Sequence, residues 1–150
     1  MRTVLTLIFL AFLIATPALQ AAESSDKIIP AEWLPALAPS ITAALQQLKE
    51  ANTQAEMNLL SRQVADMTDA QLFIAYVRVY ERLDAKERVK FRDEQASWIK
   101  QRAKVTREAV ESKGGSLAAL EANNAEVTTT EKRLQELRAR LKTLTKKSDD

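Results

Sequence analysis

Of the side chains that do most enzyme chemistry, histidine and cysteine are both missing from this 150-residue chain. Ser-His-Asp and Cys-His nucleophilic catalysis therefore lack their components, and no disulfide can form. Zinc and copper centres draw on the same two residue types, so neither a transition metal nor any other cofactor is expected. Carboxylates are plentiful, with Glu87, Asp93, Glu94, Glu108 and Glu111 crowding one region. Most stand three or four residues from a lysine or arginine, the spacing of exposed helix ion pairs contributing roughly 0.2–0.5 kcal/mol each. No two of them read as a pair whose environments would split them into acid and base. Gly114-Gly115 follows a helical pattern rather than a strand and lacks a P-loop lysine, so it cradles no phosphate. The residues point away from an enzyme.

One polar cluster remains, Ser112, Lys113 and Ser116 around the only two glycines of the chain, Gly114 and Gly115. Gly114 suits the left-handed residue that ends a helix, because it has no Cβ to clash. Lys113 in the last turn suits the negative end of the helix dipole, and Ser116 can cap the helix that follows. These signals predict an antiparallel helical hairpin of about residues 84–113 and 117–145 with a very short turn. Capping alone accounts for Ser112, Lys113 and Ser116; the alternative is that the protruding tip presents them to a partner. Positions whose numbers sum to about 231 should lie level across the hairpin: Trp98 with Arg133, Arg102 with Thr129 or Thr130, and Thr106 with Ala125. Arg133 either stacks on the Trp98 ring or is a solvated charge beside a core tryptophan; both readings stand.

The elements that carry these residues read as all-α. Ala, Leu, Gln, Glu, Lys and Arg dominate, and every proline lies at or before Pro39. Residues 23–39 hold three of the four prolines and read as an irregular arm that Trp33, Leu34 and Leu37 could dock. Ser40 reads as the N-cap of a segment to about residue 67, as one helix or as two with a break near Asn52-Thr53. Thr68 and Gln71 have the form of a capping box opening the next helix, with Leu72, Ala75, Tyr76, Val79, Tyr80 and Leu83 as its apolar stripe. Asp84 and Glu87 repeat that form. In the helix they open, Val89, Ala96, Ile99, Ala103, Thr106 and Val110 make one expected inward stripe, flanked by Phe91, Trp98, Val105 and Ala109. In the last helix, Leu117, Leu120, Val127, Leu134, Leu137, Leu141 and Leu144 face inward. Residues 146–150 are expected to fray.

The first 22 residues have the layout of a secretory signal peptide: Arg2, an apolar run from Val4 to Ile14, then Thr16-Pro17 and small residues. The run is too short for a bilayer core, which takes about 20 apolar residues in a helix. An exported, periplasmic or secreted chain is expected, without stable membrane insertion. Without Arg2 it carries 21 basic and 20 acidic residues. That near balance gives no strong field for nucleic acid or an anionic membrane.

Five short pieces, in order, carry a family likeness. Gln54, Glu56, Met57 and Asn58 come first, followed by Asp69, Leu72 and Tyr76. Gln95, Trp98 and Arg102 are followed by Gly114, Gly115 and Ser116, and then by Thr130, Arg133, Glu136 and Leu137. Over roughly residues 50–140 this resembles the lysozyme inhibitor LprI-like family, placing the family domain at about 40–145. The resemblance implies an exported, all-helical, non-enzymatic domain that binds a protein, for some members a lysozyme. It also implies cysteines at the places held here by Thr106, Ala125 and approximately Leu60, and an asparagine where Phe73 stands. The alternative role is structural, with Leu134, Leu137, Leu141 and Leu144 forming a seam to a partner in the cell envelope or to a second copy.

Overall fold

The computed structural model describes residues 34–112 and 114–149, and the signal-like segment, Trp33 and Lys113 lie outside these. Four helices follow one another: α1 (Leu37–Glu50), α2 (Gln54–Glu81), α3 (Ala85–Glu108) and α4 (Ser116–Asp149). No strand occurs among the described residues, as the composition predicts.

The helix starts follow cap chemistry, not always at the expected places. Ser40 is not a cap: α1 begins three residues earlier, behind Ala36, which makes no side-chain cap bond. Pro39 sits in its first turn, where an amide N–H would have no helical partner anyway. Thr68 opens nothing. It lies buried within α2, where its hydroxyl donates to the Val64 carbonyl at 2.7 Å. The capping box belongs to Thr53 and Glu56, and it decides for a break near Asn52-Thr53 over a single helix. There the Glu56 carboxylate accepts from the Asn52 and Thr53 amides, both at 3.1 Å. Asp84 and Glu87 form the second box, as their spacing predicts.

The contacts between α2 and α4 fix their relative direction. Asn58 bonds Ser116, Asn123 bonds Ser61, Arg62 bonds Glu126, Thr130 bonds Asp69 and Arg138 bonds Gln71. The sequence separations stay within 58–67, so the helices run parallel. They form the most extensive helix pair, α1 packs along α2, and α3 returns the chain antiparallel to α4. The core at the lower end comprises Leu72, Ala75, Val79 and Leu83 of α2 and its exit, Phe91 of α3, and Leu134 and Leu137 of α4. Tyr76 stacks on Phe91 with ring centroids 4.6 Å apart. At the upper end the α2–α4 seam turns polar, with Ser61, Thr68, Asn123 and Thr130 all buried.

The expected stripe of α3 is corrected. Val89 and Ile99 are each 48 % exposed, and Ala96 and Ala103 face solvent. The inward line is Phe91, Gln95, Trp98 and Arg102, at steps of 4, 3 and 4. Among the described residues no helix packs on the outer side of α3, so it needs only a narrow buried seam, and half of that seam is polar. Leu117 is likewise exposed, beyond the reach of α3, which ends at Glu108 rather than near Lys113. The leucines further along α4 pack as expected. Leu134 and Leu137 are buried, while Leu141 and Leu144 pack against the core, leaving the first two no surface for an envelope partner.

Thr106 has its hydroxyl buried without a hydrogen-bond partner. Such an orphan group costs more than an apolar methyl in the same place. Thr106→Val should therefore raise stability, by about 1 kcal/mol, read as a higher urea midpoint at unchanged slope.

Candidate functional site

Helical spacing carries Gln95, Trp98 and Arg102 onto one face of α3, opposite Thr130, Arg133 and Leu137 on α4. The guanidinium of Arg102 ties three helices together. Its Nη1 donates to the Asp69 carboxylate of α2 and, at 3.0 Å, to the Thr130 hydroxyl of α4. The same group lies over the Trp98 ring, 4.8 Å from its centroid. The level pairing of Arg102 with Thr130 is thus met.

Arg133 does not supply the cation on Trp98. Its side chain is 8 % exposed and turns instead to Glu94 at 2.6 Å, Glu136 at 2.9 Å and Gln95 at 3.3 Å. Two carboxylates outcompete an aromatic face, because charge-assisted hydrogen bonds are the stronger interaction. Arg140 extends the network to the other oxygen of Glu94 and covers the Phe91 ring. Glu94 carries this junction, and sequence reading counted it only as a surface carboxylate. Arginines at 133 and 140 share one α4 face, which was the available signal.

The turn is built differently from a two-glycine reversal. Gly114 and Gly115 both take positive φ, 85° and 89°, which a side chain would strain. Ser116 is the first residue of α4, and its carbonyl accepts from Asn58. The Glu121 carboxylate holds the approach to the turn, accepting from the amides of Glu111 and Ser112 and from the Ser112 hydroxyl at 2.7 Å. Ser112 is therefore engaged within the chain, while Ser116 is exposed. The Ser112 backbone amide and then its hydroxyl hold the Glu121 carboxyl below the usual carboxylate range.

Beside the Arg102 junction, α2 and α3 part to leave an open groove of about 380 Å³. Leu72, Tyr76 and Trp98 line its depth, and Arg92 stands at its edge. Phe73, 61 % exposed, and Ile99 rise on opposite sides. The Trp98 and Arg102 positions were read from the sequence; the groove was not, because it needs the spacing between two helices. Among the described residues no cluster of His, Cys, Asp and Glu could hold a metal ion. No helix there is long and apolar enough to cross a membrane.

Arg102→Ala removes the guanidinium shared by Asp69 and Thr130, leaving them only their long 3.4 Å bond to each other, and should destabilise by about 2–3 kcal/mol in denaturant melts. Arg102→Lys keeps the charge but loses the planar group that covers the Trp98 ring, so it should recover only part of that loss. Glu121 gives a pH signature. Its folded pKa is depressed, so its contribution is full above the ordinary carboxylate range and fades as pH falls through the lower folded value. The Ser112 amide resonance should titrate with a midpoint below that of a free glutamate, and Glu121→Gln should abolish the transition.

The motif residues Gln95, Trp98, Arg102, Thr130, Arg133 and Glu136 thus meet as one brace, and Gly114 to Ser116 as one turn. Neither a curated protein nor a solved structure matches this chain. A family model described as lysozyme inhibitor LprI matches residues 44–137, a span running from α1 to the buried Leu137 and containing the whole brace. The chain belongs to the lysozyme inhibitor LprI family.

Proposed function

We propose that this protein is an exported, non-enzymatic binding domain that inhibits a lysozyme-type glycan hydrolase by docking a surface of its helical hairpin. The observation that carries this reading is the family match across residues 44–137. The bundle suits the role. An inhibitor gains from a surface held rigid before binding, because less ordering entropy is lost on association. The junctions at Arg102 and Arg133 supply that rigidity to α3 and α4. Export rests on the N-terminal signal-like sequence together with the family, and it would place the protein where it meets lysozymes.

The hairpin offers two places for contact, its tip and its flank. With Ser112 held by Glu121, the tip can offer a partner Lys113 and the exposed hydroxyl of Ser116. The envelope-assembly reading draws no comparable support, since Leu134 and Leu137 are spent on the core.

The chain from residue 23 onward should slow lysis of bacterial cell walls by lysozyme in a saturable way and bind the enzyme in calorimetry. Absence of both effects at high micromolar concentrations would remove the reading. Lys113→Ala and Ser116→Ala locate the contact: unchanged inhibition by both moves it from the tip to the flank.

A further inference from the structure

We infer that the α2–α3 groove is the surface that seats the hydrolase, taking one lip of its catalytic cleft with an apolar side chain between Phe73 and Ile99 and a carboxylate on Arg92. The inference rests on the inhibitor reading and adds to it the place and chemistry of contact.

Three observations converge on this surface. Phe73 and Ile99 are the two large apolar side chains that flank the groove, and both are exposed although the core lies directly beneath. Aromatic and aliphatic posts around a preformed apolar pocket are the anchors on which interface energy concentrates. The floor beneath them is braced: Trp98 is covered by Arg102, which Asp69 and Thr130 hold in turn. The pocket therefore need not collapse or order itself when a partner arrives.

Charge decides what kind of partner fits. Asp69, the groove's carboxylate, is already committed to Arg102. Arg92 has neither a carboxylate at three or four residues' distance nor an ion pair among the described residues. The open side of the groove thus presents apolar posts beside one uncompensated cation, Arg92. The complement is an apolar projection next to a carboxylate. A glycan hydrolase of the lysozyme class carries two carboxylates on the walls of its cleft. A near-neutral chain adds no long-range steering, so the charge acts at contact range and in the choice of partner.

The test compares the chain from residue 23 onward with Phe73→Ser, Ile99→Ser, Arg92→Glu and the control Lys132→Glu, which lies on the other flank of α4. All four positions are exposed, so circular dichroism and thermal melts should show each variant folded. Lysozyme inhibition should fall about tenfold or more for Phe73→Ser and Arg92→Glu, less for Ile99→Ser, and stay unchanged for Lys132→Glu. Inhibition by wild type that survives both Phe73→Ser and Arg92→Glu overturns the groove while leaving the inhibitor reading intact. No inhibition by wild type overturns both. A wild-type dimer in light scattering that Phe73→Ser converts to monomer gives the groove to a second copy and overturns the assignment.

Discussion

One guanidinium joins the three long helices. Arg102 donates to α2 through Asp69 and to α4 through Thr130, while its flat face lies on Trp98 of its own helix. The position suits arginine, since Nη1 alone serves both acceptors while the planar group covers the ring, which a lysine ammonium has no flat face to do. Thr130 is buried there, and its hydroxyl accepts from Arg102 at 3.0 Å while donating to Asp69 at 3.4 Å. Half the inward line of α3 is polar, and direction-dependent bonds take the place of apolar area along it. Such bonds contribute modestly to net stability, but they fix register, because a helix shifted by one turn would strand a buried hydroxyl and a charge.

The second junction works in the same way further down the bundle. Arg133 is almost enclosed and satisfied by Glu94, Gln95 and Glu136, and Arg140 neutralises the other oxygen of Glu94. These ties let α3 stand off from α2 without drifting. Phe91 and Tyr76 hold the two helices together at one level by ring stacking, and above that level they part. The groove is therefore a consequence of bracing. The chain has no cysteine, so the hairpin relies on packing and polar ties rather than a covalent staple. The Thr106 hydroxyl, buried without a partner, is one place where that packing is not fully satisfied.

The link from fold to function passes through what the bundle leaves uncovered. Large apolar side chains seldom stand open in contiguous groups on a protein that acts alone. Phe73 and Ile99 do so beside a pocket whose floor is already rigid. At the other end, Ser112 on the approach to the turn is committed to Glu121. The distribution of satisfied and unsatisfied groups therefore favours the flank of the hairpin over its tip as the working surface.

Several features were fixed by local chemistry and could be read from residues alone. They include the all-α class, the cap at Asp84, the turn at Gly114-Gly115 and the level of Arg102 with Thr129 or Thr130, whereas the break near Asn52-Thr53 was one of two open readings. Each depends on contacts a few residues apart or on simple counting across one hairpin. The family likeness was legible too, because its motif residues recur at helical spacing on facing surfaces. Tertiary structure alone decided the rest. Thr68-Asp-Ala-Gln71 has the form of a cap, yet burial against α4 keeps α2 continuous, with the threonine bonding its own helix. Two overlapping apolar stripes on α3 satisfied the same periodicity, and only the positions of its neighbours selected Phe91 and Trp98 over Val89 and Ile99. The parallel pairing of α2 with α4 has no local signature, since it joins residues about sixty positions apart. A groove is the space between helices, and a period along one helix cannot encode the distance to another.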